Sequence, residues 1–258
     1  MRILFIGDIM GRTGRNVLKN NLSNIITQNQ IDVVIANGEN SAGGVGITQK
    51  VYEELLSFNI DVITLGNHAW AKKEIYKFID EAERLVRPAN YPEDTPGKPY
   101  LIINKLGVNI AVINMCGRIY MDCIECPFKT IDSILIDINN KADIIILDFH
   151  GEVTSEKVAM GWFLDGRVTA VLGTHTHVQT ADERILPKGT AYITDVGMTG
   201  PRDSVIGVKK EIIIKKFLTG LPAKFEIEKD SGQINGVVLN IGSNNKVSEF
   251  SRLNIYNF

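Results

Sequence analysis

The sequence predicts an α/β fold in which two mixed β-sheets pack face to face with helices outside. Three observations predict it. Short β-branched runs, apolar almost without a break, alternate with helix-length segments, as strands buried on both faces of a partly parallel sheet do. A hairpin and a strand-rich last third add antiparallel pairs. No solenoid repeat, low-complexity tract or flexible linker divides the 258 residues, so one domain over 1–258 is expected.

The elements follow in order. Arg2 to Gly7 reads as a strand ending in Asp8, and 14–29 as a helix. Asp32 to Asn37 is a second strand, leading into Gly38-Glu39-Asn40, with a helix at 48–58. Asp61 to Gly66 leads into Asn67-His68, and a helix is expected over 71–84. Pro88, Pro92, Pro96 and Pro99 mark an irregular connection. Segments 100–104 and 109–114 flank Lys105-Leu106-Gly107-Val108 as a hairpin, followed by a helix at 129–140. Asp143 to Leu147 leads into Asp148-Phe149-His150, with a helix at 154–163. Arg167 to Leu172 leads into Gly173-Thr174-His175-Thr176-His177. Strands near 190–194, 223–228, 234–241 and 246–256, with a helix at 209–218, complete the chain.

Composition removes several classes of function. With 44% apolar and 22% charged residues the chain is neither disordered nor fibrous. Lys and Arg total 28 against 30 Asp and Glu, so no global basic field draws nucleic acid or membrane. No apolar run approaches the roughly 18 residues of a membrane span, and no secretory pattern opens the chain. Three cysteines, Cys116, Cys123 and Cys126, fit a reducing cytoplasm. Cys123 and Cys126 have the spacing of half a zinc site or a redox pair, but no second pair completes it, and incidental thiols are the simpler reading.

The chemistry lies at the strand ends, where ligands collect in open α/β sheets. All four histidines, His68, His150, His175 and His177, stand just past predicted strands, as do Asp8, Glu39, Asn40 and Asn67. Taken singly, each has an ordinary explanation: a cap, a turn residue, a satisfied core histidine. Five strand ends furnished alike point to a binuclear metal site instead. Carboxylate, amide oxygen and imidazole suit Zn, Mn, Fe or Ni rather than Ca or Mg alone. His175 and His177 share one face of an extended segment and can reach one cluster. Arg12, Arg15 and Arg118 are candidate phosphate or ribose contacts; for Arg12 and Arg15 the alternative is an exposed arginine at a helix start.

These residues resemble the motif series of the calcineurin-like metallophosphoesterases. One branch is closer. Gly7-Asp8 to Arg15, Gly38-Glu39-Asn40 to Ile47, Arg87 to Pro92, Asp148-Phe149-His150, Gly173 to Pro187, Asp195 to Pro201 and Phe217 to Pro222 resemble the bacterial YmdB-like phosphodiesterases over essentially the whole chain. The resemblance implies a four-layer α/β/β/α sandwich with two metal ions, often iron or manganese, and a homo-oligomer. It implies hydrolysis of cyclic nucleotides, 2′,3′-cyclic ones above all. It places Asp8, Glu39, Asn40 and His177 on one metal, and Glu39, Asn67, His150 and His175 on the other, with Glu39 bridging and His68 as general acid. The expected reaction is attack on phosphorus by a hydroxide bridging the ions, with a proton from His68 to the departing ribose oxygen.

Departures from the wider superfamily sharpen the likeness. Where that superfamily has Asp-x-His, this chain has Met10, and a thioether is a poor ligand for such cations. Asn40 then stands in for the missing ligand. From the branch itself the chain departs in its third motif, Asn67-His68-Ala69-Trp70-Ala71, which lacks the Asp that often follows the tryptophan there and with it an orienting partner or helix cap near His68. Two rival functions share the residues. One is a phosphomonoesterase or 5′-nucleotidase. The other is a regulatory or RNA-binding protein with vestigial activity, against which stand the retained His68 and the balanced charge.

Overall fold

In the computed structural model, which describes residues 1–256, strands and helices alternate through most of the chain. The order is β1 (Arg2–Ile6), β2 (Asp8–Ile9), α1 (Gly11–Asn29), β3 (Val33–Asn37), α2 (Gln49–Leu56), β4 (Val62–Thr64) and β5 (Leu85–Val86). The hairpin β6 (Tyr100–Lys105) and β7 (Val108–Cys116) follows, then α3 (Pro127–Asp137), β8 (Ile144–His150), α4 (Thr154–Leu164) and β9 (Ala170–Thr174). Last come β10 (Arg184–Ile185), β11 (Ala191–Ile193), β12 (Met198–Pro201), α5 (Lys210–Thr219), β13 (Gly232–Ile241) and β14 (Val247–Tyr256).

Two sheets result. The first runs β2-β12-β13-β1-β3-β4-β5, with β14 also on β13; the second runs β10-β11-β9-β8-β7-β6. Both are mixed: β1 pairs parallel with β3 and antiparallel with β13, while β7 pairs parallel with β8 and antiparallel with β6.

Strand alternation builds the layers. Leu4 and Ile6 of β1 turn toward Leu18, Leu22 and Ile25 of α1. Their neighbours Ile3 and Phe5 turn the other way and meet Val112, Ile146 and Leu172 of the second sheet. On the far side Ile113 and Leu147 pack against Ile131 of α3 and Met160 of α4. Every strand residue in the middle is thus covered on both faces, which is why these runs are continuously apolar. The expected α/β/β/α sandwich is what forms.

Two expected elements do not form. Residues 71–84 do bury Ile75, Phe78, Ile79 and Ala82, at helical spacing. The backbone, however, makes one short 3₁₀ helix, Lys73–Lys77, followed by single turns such as Glu81 N–H to Phe78 C=O at 3.1 Å. The buried stripe is satisfied without a continuous ladder. Residues 223–228 alternate like a strand but, among the described residues, form only the bridge Val208–Ile227, flanked by Lys209 N–H to the Glu226 carbonyl at 2.9 Å and Glu228 N–H to the Gly207 carbonyl at 3.0 Å. Conversely, the short strands β2, β5, β10 and β12 have too few residues to show in a sequence pattern. β12 matters for the site: it pairs parallel with β2, matching Met198 to Asp8.

Candidate active site

The sandwich brings the ends of five strands together, and the first sheet supplies most of the donors. Asp8 opens β2, Glu39 and Asn40 follow β3, and Asn67 and His68 follow β4. The second sheet supplies His150, the last residue of β8, and His175 and His177 just past β9.

Donor atoms crowd at the centre. His150 Nε2 lies 3.1 Å from Glu39 Oε1, 3.1 Å from Asn67 Oδ1 and 3.0 Å from His175 Nδ1. Asn40 Nδ2 is 3.0 Å from Glu39 Oε1 and 3.1 Å from His177 Nε2. The peptide N–H of His175 donates to Asp8 Oδ2 at 3.1 Å. Asp8 Oδ1 is buried and has no hydrogen-bond partner. A buried carboxylate oxygen without a donor is costly unless a cation faces it. Glu39, His150 and His175 alone bring ligand atoms within 4.8 Å of one another, the one group of that kind among the described residues. Lone pairs converging on a common centre fit a metal of the imidazole- and carboxylate-binding kind.

The electrostatics reflect that crowding. Burial works against the His150 imidazolium, yet the Glu39 and Asp8 carboxylates lift its pKa to about 9. Glu39 is held well below the usual carboxylate range despite its burial, chiefly by His150. Burial raises Asp8, against the pull of His150 and His177. Burial and the neighbouring His150 charge push His175 down to about 3, which favours its neutral ring.

His68 sits differently. Its side chain is 40% exposed, open to an incoming ligand. Its Nδ1 is 2.9 Å from Asn40 Oδ1 and 3.4 Å from Glu39 Oε1, and its peptide N–H donates to Glu39 Oε2 at 3.0 Å. The hydrogen bond to Glu39 raises its pKa, outweighing burial. Asn40 and Glu39 therefore orient the ring without the Asp that Ala71 replaces. Gly66, just before, leaves no room for a side chain: a Cβ there would lie 2.2 Å from Glu39 Oε2 and 2.5 Å from His150 Nε2. Met10 is 6% exposed and packs with Met198, Val208 and Ile213, a wall residue rather than a donor.

Further residues that the sequence did not single out for this site support the donors. Asp195, buried at the end of β11, accepts from Thr176 N–H at 3.0 Å, Thr176 Oγ1 at 2.8 Å and Gly197 N–H at 2.9 Å. It thereby grips the residue between His175 and His177, both of which hold positive φ, 103° and 65°. Lys157 Nζ of α4 donates to Asp195 Oδ2 at 2.7 Å, a buried ion pair. Glu152 Oε2 takes the far nitrogen of His175 at 2.9 Å. Asp148 accepts from Asn37 and Thr64 of the first sheet and from Thr174 of the second. Thr174 Oγ1 in turn lies 2.9 Å from His150 Nδ1, which fixes the face that His150 presents. Burial lifts Asp148 to about 6.

The three arginines part company. Arg15 is tied to Glu54 at 2.9 Å and to the Ser41 carbonyl, on the wall of a cavity that Arg12 also lines. Arg118 is exposed, its N–H donating to Glu156 Oε1 at 3.1 Å, and follows Gly117, whose N–H donates to the His150 carbonyl at 2.9 Å. Arg12 is exposed and lines its cavity with Gly43, Phe225 and Lys229. Cys116 is buried, Cys123 and Cys126 are more open, and all three thiols are free.

Comparison with known proteins agrees with this geometry. The profile of a family described as YmdB-like protein matches residues 4–253. The chain is 50% identical over 246 residues to the 2′,3′-cyclic-nucleotide 2′-phosphodiesterase of Bacillus subtilis, covering 95% of this chain and 93% of that one. Among solved structures, a hypothetical protein from Thermus thermophilus superposes with a TM-score of 0.93 at 41% identity, covering 99% of each chain. A structure described as a novel phosphatase from Mycoplasma pneumoniae gives 0.92 at 38% identity, covering 99% of this chain and 93% of that one.

Proposed function

The chain belongs to the YmdB-like family, and on that premise we propose that it is a metal-dependent phosphodiesterase opening 2′,3′-cyclic nucleotides to monophosphates. The observation that carries this reading is the buried Asp8 Oδ1, without a hydrogen-bond partner and 3.8 Å from His150 Nδ1 of the Glu39–His150–His175 cluster, with a half-exposed His68 at its edge. Asp8, Asn40 and His177 would hold one ion and Asn67, His150 and His175 a second, with Glu39 between them; iron or manganese suits these donors, as zinc or nickel would. Two ions at such a site activate water for attack on phosphorus and take up charge on the phosphoryl oxygens. Asn40 and Glu39 hold the His68 ring and Glu39 raises its basicity, which suits it to give a proton to the departing ribose oxygen. Thr174 and Glu152 keep the His150 and His175 rings turned inward. Arg118, exposed and next to Gly117, is the arginine proposed to meet a phosphate at this site.

The same reading includes one domain over the chain, a homo-oligomer and a cytoplasmic setting. Three free thiols fit a reducing compartment, and no helix among the described residues is long and apolar enough to cross a membrane. The deciding experiment is release of nucleoside monophosphate from 2′,3′-cyclic AMP with Mn²⁺ or anaerobic Fe²⁺ supplied and metal content recorded. Turnover abolished by chelation is expected. Full metal occupancy with no turnover, or faster cleavage of a monoester, would overturn the substrate assignment in favour of a phosphatase.

A further inference from the structure

Away from the donor cluster, a cavity of about 680 Å³ opens between the start of α1 and the segment following α5. Its size lies within the roughly 300–1,000 Å³ of small-molecule sites. Its walls are fixed. Ile227 wedges against two glycines: a Cβ on Gly11 would lie 2.5 Å, and on Gly44 2.8 Å, from its Cδ1. Thr13 Oγ1 donates to the Glu228 carbonyl at 2.8 Å, and Glu228 N–H to the Gly207 carbonyl at 3.0 Å.

The charge of the cavity is uneven. Glu226 on its wall is already paired with Lys209 at 2.9 Å, and Arg15 with Glu54. Arg12 and Lys229 make no ion pair among the described residues. Phe225 is 52% exposed, with Lys216 Nζ 4.8 Å from its ring centroid. Gly43, at φ 75°, leaves open space where a side chain would stand. Two uncommitted cations beside an exposed aromatic ring suit a ligand with a dianion at one end and a planar ring at the other. None of the residues lining the cavity belongs to the donor cluster; the turn beside it is tied to the Asn40 carbonyl by the N–H groups of Gly11 at 2.9 Å and Gly44 at 3.1 Å.

We propose that this cavity binds a nucleoside phosphate, with the phosphate held by Arg12 and Lys229 and the base against Phe225. The cavity would take either a free mononucleotide or the terminal phosphate of an oligonucleotide, since both present that chemistry. The test is calorimetric titration of the full-length protein, with its metals and again after chelation, with adenosine 5′-monophosphate, inorganic phosphate and a short oligoadenylate. A component of nucleotide binding that survives chelation is expected. Arg12→Ala and Lys229→Ala should each weaken it about tenfold, the size of one charge-assisted contact. Phe225→Ala should weaken the nucleotide about tenfold and leave inorganic phosphate unchanged. All three side chains are exposed, so the variants should melt like the parent, and Lys229→Glu provides a charge reversal at the same place. Tighter oligoadenylate binding through the same residues would identify a polynucleotide end, and equal affinity a free mononucleotide; both support the site. No chelation-resistant binding, or binding indifferent to these substitutions, would overturn it. The readout is binding alone, so failure here leaves hydrolysis untouched, and failure of hydrolysis leaves this site standing.

Discussion

Replacing Asp195 by asparagine should unfold the protein at lower temperature and loosen its metal site at once. The carboxylate lies 2.7 Å from Lys157 Nζ, and both side chains are 1% exposed. Asparagine removes the negative charge and leaves a buried ammonium facing an amide. Breaking a buried pair from one side costs about 3–5 kcal/mol. For a chain of this size each kcal/mol lowers the melting temperature by about 2–4 °C, so a fall of about 10 °C is expected. Oδ2 also accepts both donors of Thr176, and losing that grip frees the turn carrying His175 and His177. Loss of such an orienting contact lowers metal affinity roughly 10–100-fold. Lys157→Met alone should be milder, because Asp195 keeps Thr176 and Gly197 as donors. The double variant Lys157→Met/Asp195→Asn should recover much of the stability by removing the stranded charge. Thermal melts by circular dichroism and metal analysis after dialysis read both effects. An Asp195→Asn protein melting within a degree or two of the parent would refute the reasoning, as would a double variant no more stable than the single.

Other predictions concern the donors and the thiols. His68→Ala should retain its metals and lose about 10²–10⁴-fold in turnover on a substrate with a poor leaving group; parallel loss of metal would make His68 a ligand. His150→Ala should lower metal occupancy, and unchanged occupancy would remove it from the ligand set. Gly66→Ala should reduce metal content as well, since its methyl would collide with Glu39 and His150; normal loading would show that the turn can shift. Burial raises the Cys116 thiol well above the ordinary range, whereas backbone N–H groups of Lys129 and Phe128 lower Cys126. Mass spectrometry after brief alkylation near pH 7 should therefore find Cys126 modified and Cys116 intact; early labelling of Cys116 would contradict its burial.

The sandwich and the candidate donors were legible in the sequence for one physical reason. Strands covered on both faces are apolar throughout, so a polar residue at their ends stands out, and His68, His150, His175 and His177 all do. The supporting residues do not stand out. Lys157 lies 38 residues from Asp195 and reads, in its helix, as a solvated cation. Asp148 was visible beside His150, but its contacts with Asn37 and Thr64 come from a different sheet. Glu152 sits in an unpatterned turn. At 71–84 the apolar spacing was legible and the backbone hydrogen bonding was not, because separate turns and a helix can bury the same stripe. Residues 223–228 showed strand-like alternation, but pairing depends on a neighbour that the sequence does not reveal. Arg15 was read for its closeness to Asp8, whereas its partner Glu54 belongs to α2.

The split origin of the donor set has a thermodynamic consequence. Of the proposed ligands, Asp8, Glu39, Asn40 and Asn67 ride on one sheet, and His150, His175 and His177 on the other. Neither sheet alone offers a competent chelate, and a small slip between them would misplace all the donors together. Asp148, held by both sheets, opposes that slip. On the proposed ligand set, ion uptake and closure of the sandwich would be linked equilibria: each ion would act as a rivet across the seam, and prying the seam open would release it.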